Sequence, residues 1–225
     1  MMQMLQMGCT NLLNLRHQRE NNFNSKKLGI IIYQRSIMYR IISGKWKAKK
    51  IAAPKNFEVR PTTDFAKEAL FSIIEHRFDL EFCSVLDLFA GIGSITLEFA
   101  SRDCQDITAI ELNPKHAGFI NATAQELGMG LQVNTQRFDV FDWLKRKKNH
   151  EKKYDIIFAD APFETDEKQY LNMIDLVISN ELLKPNGIFI LEHQSRLKLA
   201  HPNMTESRKY GNIKFSFFEA LPVSE

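Results

Sequence analysis

The chain has little that would support a metal centre or a disulfide framework. Its 225 residues include three cysteines without CxxC spacing, and its six histidines form no close-spaced ligand pattern. These absences argue against zinc and against disulfides, so we expect a cytoplasmic protein without a metal. No apolar run approaches the roughly 20 residues that span a membrane, and the first residues lack the charged start of a signal peptide, so we also expect no membrane association.

Positive and negative charges also nearly balance over the whole chain, because the formal net charge is only +3. The distribution is uneven, however, since residues 39–60 contain one acid, Glu58, and seven basic residues. These are Arg40, Lys45, Lys47, Lys49, Lys50, Lys55 and Arg60. The segment predicts an anionic partner, with the alternative that its lysines only keep a strand edge soluble.

The first 80 residues divide into two parts. Residues 1–37 are rich in Asn and Gln and lack a sustained period, which predicts a disordered extension or a start codon assigned too far upstream. Residues 38–80 predict a hairpin of Arg40–Ile42 and Lys45–Ile51 with its turn at Gly44, followed by a helix capped by Thr63 or Asp64. The apolar face of this helix is predicted to contain Phe65, Ala69, Leu70, Ile73 and Ile74.

On the second strand of that hairpin, alternation places Lys45, Lys47 and Lys49 on one face. Trp46 then points the other way, toward the domain. This arrangement predicts a basic face that follows the anionic partner.

From Ser84 onward, strand patterns alternate with helix patterns. The predicted strands are Ser84–Phe89, Asp106–Leu112, Leu131–Thr135, Tyr154–Ala159, Gly187–Glu192 and an antiparallel Ile213–Phe218. The predicted helices are Ser94–Ser101, Pro114–Leu127, Phe141–Lys148, Asp166–Ser179 and a short Glu181–Leu183. This alternation predicts an α/β domain over residues 81–220, with a parallel sheet that binds its ligands at the carboxyl ends of the strands.

A glycine turn follows the first of these strands. Gly91 and Gly93 let the backbone pass close to a ligand, but Thr96 stands where a dinucleotide-binding fingerprint has its third small residue. Asp87, ahead of the glycines, would repel a pyrophosphate and instead suits the amino group of a methionine moiety. The turn therefore favours S-adenosylmethionine over a nicotinamide cofactor.

Two further acids follow the next two strands. Glu111 is placed to hold both ribose hydroxyls, and Asp139 to accept a hydrogen bond from the adenine amine. Taken singly, Glu111 could be a solvated strand end and Asp139 a helix N-cap. The predicted donor pocket also includes neighbouring apolar residues, Phe89, Leu112 and Val140.

The tetrapeptide Asp160-Ala161-Pro162-Phe163 follows the buried strand Tyr154–Ala159. The Asp160 carboxylate can accept a hydrogen from an exocyclic amine. Pro162 stiffens the turn, and Phe163 offers a face on which a flipped base can stack. These three residues are the predicted catalytic set.

Four motifs together resemble the RsmD family of bacterial methyltransferases. They are Arg40-Ile41-Ile42-Ser43-Gly44-Lys45-Trp46, Arg60-Pro61-Thr62-Thr63-Asp64, Asp87-Leu88-Phe89-Ala90-Gly91-Ile92-Gly93 and Asp160-Ala161-Pro162-Phe163. The resemblance covers about residues 39–219, and Ala161 replaces the first proline of the usual turn. It implies a seven-stranded, mostly parallel, Rossmann-like class I methyltransferase fold with S-adenosylmethionine as methyl donor.

The resemblance also implies a substrate, the N2 amine of a guanine in 16S ribosomal RNA or in a precursor of the small ribosomal subunit. Nothing in the sequence suggests an obligate dimer, so we expect a monomer. The predicted RNA contacts are Arg40, Lys45, Lys47, Lys49, Arg60, Thr62 and Thr63. The alternatives are a DNA adenine-N6 or protein glutamine-N5 methyltransferase, and a non-catalytic RNA-binding protein with the same fold.

Overall fold

The computed structural model describes residues 38–54, 57, 62–146 and 151–220. The predictions for residues 1–37, and the predicted RNA contact at Arg60, lie outside the described residues.

An antiparallel pair of short strands and a helix open the described part of the chain. Strand β1 is Met38–Arg40 and β2 is Lys50–Ala52, with Tyr39 opposite Ile51. Helix α1 is Asp64–Arg77, and the Thr63 hydroxyl caps it by accepting the Ala66 amide at 3.3 Å. A single 3₁₀ turn at Leu80–Phe82 then leads into the main sheet.

The main sheet has seven strands in the order β5-β4-β3-β6-β7-β9-β8. Its strands are β3 Ser84–Leu88, β4 Asp106–Ile110, β5 Val133–Gln136, β6 Tyr154–Asp160, β7 Leu183–Gln194, β8 Met204–Tyr210 and β9 Ile213–Phe218. The helices between them are α2 Ser94–Ser101, α3 Pro114–Glu126, α4 Val140–Leu144 and α5 Glu167–Ser179. Strands β3 to β7 are parallel and β9 is antiparallel to both of its neighbours, which confirms the predicted mostly parallel seven-stranded sheet.

A separate apolar core covers each face of the sheet. One core holds Leu70 of α1, Leu97 of α2 and Ile120 of α3. The other holds Trp143 of α4 and Ile174 of α5. The hairpin residues Tyr39, Ile41 and Ile51 belong to the first core, so burial of apolar surface fixes the N-terminal hairpin directly on the main sheet.

A buried charge cluster joins the hairpin to α1 and α2. Lys67 and Glu98 are fully buried and form an ion pair at 2.9 Å. Lys67 also donates to the Arg40 carbonyl at 2.6 Å, and Glu98 accepts the Ile42 amide at 2.7 Å and pairs with Arg102. Every charge in the cluster has an opposite charge beside it, as a buried ion needs.

The structure corrects three details of the predicted elements. The short helix at Glu181–Leu183 is wrong, because β7 already begins at Leu183. Strand β8 was not predicted. On α1, Phe65 does not belong to the predicted apolar face, because it is 67% exposed. Lys67 is instead fully buried on the inner side of the helix, since Glu98 and the Arg40 carbonyl satisfy its charge.

Candidate functional site

A cavity of about 970 Å³ opens at the carboxyl ends of the parallel strands. The turns after β3, β4, β5 and β6 form its walls, as expected where a parallel sheet binds ligands. Most predicted site residues line it: Thr62, Asp87, Phe89, Gly91, Glu111, Leu112, Asp139, Val140, Asp160, Pro162 and Phe163. Gly93, Thr63, Arg40 and the three predicted loop lysines lie outside this lining.

The glycine turn after β3 places backbone at the cavity wall. Gly91 has a φ of 57°, a left-handed conformation that glycine adopts without strain. Gly93, at φ 79°, has a different role, because a Cβ there would lie 3.0 Å from Ile120 on α3. Gly91 therefore faces the ligand space, whereas Gly93 permits close packing of two helices.

The Asp87 carboxylate is buried at the base of this turn. It is 2% exposed and accepts a hydrogen bond from the Thr96 hydroxyl. Burial raises the pKa of Asp87 to about 7, against the lowering effect of Thr96, and the nearby Asp160 and Glu111 raise it further. Thr96 was read from the sequence only as a departure from a fingerprint, and its structural role is to hold this acid.

Glu111 and Asp139 occupy the opposite wall. One Glu111 oxygen accepts the Gly91 amide at 2.8 Å and the other accepts the Asn113 amide at 2.7 Å, so its position is fixed. Asp139 accepts the Asp142 amide at 3.0 Å as the N-cap of α4, which confirms the N-cap alternative. Because a carboxylate has about four acceptor positions, both acids can still bind a ligand.

A pair of acids, Asp160 and Glu192, lies at the end of β6. They are direct neighbours in the register of β6 and β7, and Glu192 accepts a hydrogen bond from Thr62 at 3.0 Å. Burial, and then the charge of Glu192, hold the pKa of Asp160 well above its usual range. Burial also raises the pKa of Glu192 to about 7, against the lowering effect of the Thr62 hydrogen bond.

Glu192 was missed as a site residue, although it ends the predicted strand Gly187–Glu192. In the sequence, Glu192 is visible only as an acid at the end of an apolar run. Its proximity to Asp160 follows from the sheet order, which places β7 beside β6.

The turn after Asp160 exposes an aromatic ring beside the cavity. The Pro162 carbonyl accepts the Thr165 amide at 2.9 Å, and the Phe163 carbonyl accepts from the Gln194 side chain at 3.1 Å. These bonds hold the backbone, while the Phe163 side chain stays 58% exposed. Ala161 is buried, so its substitution for proline places no polar group at the site.

The predicted basic strand is wrong, since Lys45, Lys47 and Lys49 lie on a nine-residue loop between β1 and β2. Gly44 and Ala48 have φ values of 81° and 66°, which interrupt an extended strand. All three lysines are exposed, and Trp46 packs against the core as predicted.

This lysine loop, residues 41–49, docks on the far ends of two helices. The Lys45 amide donates to the Ser101 carbonyl at 2.7 Å, and Lys49 lies 3.7 Å from Glu126. Both helices start at the cavity, with Ser94 and Pro114 in its lining. At 1.5 Å rise per residue, their last residues are about 10–18 Å away, so the lysine loop lies at the ends of α2 and α3 that point away from the cavity.

The other predicted RNA contacts have local partners. Arg40 forms an exposed ion pair with Asp64 at 2.6 Å, and Thr63 caps α1. Thr62 is buried, lines the cavity and binds Glu192. Their contact with RNA stays a prediction.

The described residues bear on two remaining expectations, the absence of a membrane span and the absence of a metal site. No helix among them has the length and apolar character to cross a membrane. No cluster of three or more potential metal-binding side chains occurs among them.

Comparison with known proteins identifies the family. The model of the family described as conserved hypothetical protein 95 matches residues 39–219. The chain is 32% identical over 184 residues to ribosomal RNA small subunit methyltransferase D of Buchnera aphidicola subsp. Baizongia pistaciae, covering 80% of this chain and 90% of that protein. It is 31% identical to the Haemophilus influenzae protein of the same name, covering 80% and 93%.

A solved structure agrees with this assignment. The putative methyltransferase yhhF from Escherichia coli superposes with a TM-score of 0.68 at 25% identity, covering 82% of this chain and 100% of that one. The predicted class I methyltransferase fold is therefore confirmed. The chain belongs to the conserved hypothetical protein 95 family, which is the RsmD family that its motifs resemble.

Proposed function

We propose that this protein transfers a methyl group from S-adenosylmethionine to the exocyclic N2 amine of a guanine in small-subunit ribosomal RNA. The observation that carries the proposal is the position of Asp160, whose carboxylate lines the same cavity as the acids of the predicted donor pocket. The names of the relatives support ribosomal RNA as the substrate.

The residues of the cavity fit the donor. Glu111 suits the ribose hydroxyls, Asp139 suits the adenine amine, and Asp87 suits the cationic part of the methionine moiety. Gly91 leaves room for close approach of the backbone, and the buried Ser94 hydroxyl has no hydrogen-bond partner among the described residues. When bound, this donor supplies an electrophilic methyl group on a positively charged sulfur.

Asp160 acts on the acceptor amine. The lone pair of a guanine N2 is delocalised into the ring, so this nitrogen is a poor nucleophile. Asp160 and the Ala161 carbonyl accept its two hydrogens and favour a more tetrahedral nitrogen. We assign the carbonyl role to Ala161 because the Pro162 carbonyl already accepts the Thr165 amide.

Phe163 holds the base outside its stack. Extrusion of a nucleotide costs a few kcal/mol, less in a loop, and stacking on an exposed ring offsets part of that cost. The 58% exposure of Phe163 at the rim leaves its face open for this contact.

The test is methylation of 16S RNA and of small subunits isolated from cells that lack this gene, followed by mass spectrometry of the nucleosides. We expect N2-methylguanine with the wild-type protein, and a rate at least about 100-fold lower with Asp160→Ala, the usual range for a positioned proton acceptor. Donor affinity of the variant should stay unchanged. Methylation of adenine or of a glutamine side chain would support the alternative enzymes, and RNA binding without methylation would support a non-catalytic protein.

A further inference from the structure

A cluster of basic side chains lies at the cavity end of β7, β8 and β9. We propose that this cluster, which we call the edge cluster, binds the RNA phosphates that flank the target nucleotide. Its members are Arg196, Lys198, Lys209 and Lys214. The inference rests on the proposed function and assigns that function's RNA contact to a surface other than the lysine loop.

Sheet register places Lys214 and Lys209 at the same end of the sheet as Asp160, two and three strands away from β6, with their side chains on the opposite face because side chains alternate along a strand. Asp160 on β6 is paired with Glu192 on β7, and the next residue of β7, His193, is paired with Lys214 on β9. Lys214 is in turn paired with Lys209 on β8. Neighbouring strands are about 4.8 Å apart, so Lys214 lies about 10 Å and Lys209 about 14 Å across the sheet from β6.

The same end of the sheet carries the remaining cations. Because β9 is antiparallel to β7, the β8–β9 turn at Gly211 lies where β7 ends. The Ser195 amide donates to the Asn212 carbonyl at 2.8 Å and fixes the segment after β7 against that turn. Arg196 and Lys198 follow in this segment, and both are exposed.

The charges of the edge cluster are unbalanced. Lys209 and Lys214 face each other across two antiparallel strands, an arrangement of like charges that destabilises a sheet. In the part of the chain that the structure describes, none of the four cations forms an ion pair with an acid. A bound polyanion would remove this repulsion, and the release of its counterions would favour binding.

A side-chain hydrogen bond and an exposed aromatic ring accompany the cations at this end of the sheet. Gln194 donates to the Phe163 carbonyl and so joins the end of β7 to the catalytic turn. On the other face of the sheet Phe65 is 67% exposed and packs edge-on against Tyr210, with ring centroids 6.1 Å apart. These rings and the lysines lie at the same end of the sheet, on its two faces, and exposed rings together with cations suit a nucleic acid strand, which offers bases to stack and phosphates to pair.

The test compares two double variants with the same change of net charge. One is Lys209→Gln with Lys214→Gln. The control is Lys152→Gln with Lys153→Gln, immediately before β6 and thus at the opposite end of the sheet, where the lysines pair with Asp106 and Glu181. Binding of a small-subunit RNA fragment is measured over a salt series, with donor affinity by calorimetry and thermal unfolding of each protein.

For the edge variant we expect the slope of log affinity against log salt to fall by about 1.4–1.8, which is two phosphate contacts. The control should keep the wild-type slope. Both should bind the donor normally, and the edge variant should unfold no earlier than wild type because it loses a like-charge pair.

A wild-type slope in the edge variant, or an equal fall in the control, would overturn the assignment of RNA binding to the edge cluster. The proposed function would still hold if the wild-type protein methylates the RNA. Absence of methylation by the wild-type protein would instead overturn the proposed function, and the slopes would still decide where RNA binds.

Discussion

Two buried charge clusters in this protein differ in balance. The cluster of Lys67, Glu98 and Arg102 contains both signs, and each charged atom has a partner. The pair of Asp160 and Glu192 contains two acids, and the hydroxyl of Thr62 is the donor to Glu192. Balanced buried charges hold elements together, whereas unbalanced ones have shifted pKa values and are typical of sites that handle protons or ligands.

The location of the clusters agrees with this distinction. Lys67 and Glu98 tie the hairpin to α1 and α2, and the Tyr39 hydroxyl extends the connection by donating to the Ile92 carbonyl of the glycine turn at 2.7 Å. Asp160 lines the cavity, and Glu192 is its neighbour on the adjacent strand β7. The following predictions test this contrast.

The largest effect is expected on stability, from Lys67→Met. It leaves Glu98 buried with only Arg102 as a charged partner, and breaking a buried pair in this way costs about 3–5 kcal/mol. Urea unfolding measures the loss. Lys168→Met on the exposed face of α5 is the matched control and should change stability by less than about 0.5 kcal/mol. Equal stability of the two variants would mean that the balanced cluster contributes nothing to the fold.

Glu111→Ala should weaken donor binding by about 1–3 kcal/mol, the range for a hydrogen bond to a charged group. Calorimetry with S-adenosylmethionine measures the change, and Glu68→Ala on exposed α1 surface is the control. Because Glu111 also holds the Gly91 amide, part of the loss reflects a looser turn. Wild-type affinity would remove Glu111 from the donor site.

Glu192→Gln should change the pH profile more than the maximal rate. The charge of Glu192 raises the pKa of Asp160, so its removal should shift the acid limb of kcat/KM to lower pH. The charge of Asp160 also raises the pKa of Asp87 on β3 and of Tyr170 on α5, and the substitution changes neither residue. A lower rate with an unmoved acid limb would mean that Glu192 only supports the strand.

The smallest effect is expected from Lys45→Glu, Lys47→Glu and Lys49→Glu together. Although the sequence predicts RNA binding by these residues, the loop lies remote from the cavity on the ends of α2 and α3. We expect a smaller change in salt slope than for the edge cluster, with donor affinity unchanged. A slope change of equal size would show that RNA reaches both ends of the protein.

The sequence was most informative where parallel strands end. Asp87, Glu111 and Asp160 could be assigned to one cavity because they lie at or near the carboxyl ends of apolar parallel strands, which converge at one edge of the sheet. The bounds Ser94–Ser101 and Ile213–Phe218 also match the structure.

Other features depended on tertiary partners. Lys67 is inside because Glu98 is beside it, which periodicity along α1 cannot reveal. Strand β8 has the sequence Met-Thr-Glu-Ser-Arg-Lys-Tyr. It is an edge strand with mostly exposed polar residues, so it lacks the apolar pattern from which a strand is predicted. The alternating lysines of the loop have the pattern of a strand. The structure has a turn there, because Gly44 adopts a positive φ close to Ser101 and the Lys45 amide donates to the Ser101 carbonyl.

We expect donor binding to be linked to proton release from Asp87, which lines the cavity, and from Glu192, which neighbours Asp160. Near pH 7 Asp87 and Glu192 are partly protonated, since their pKa values are about 7. A cation in the cavity favours the ionised carboxylates, so the cavity should release protons as the donor binds, and affinity should rise with pH through neutrality. The demethylated product has an uncharged sulfur, and the cavity should release fewer protons to hold it. Proton release from Asp87 and Glu192 should therefore favour the exchange of spent product for fresh donor.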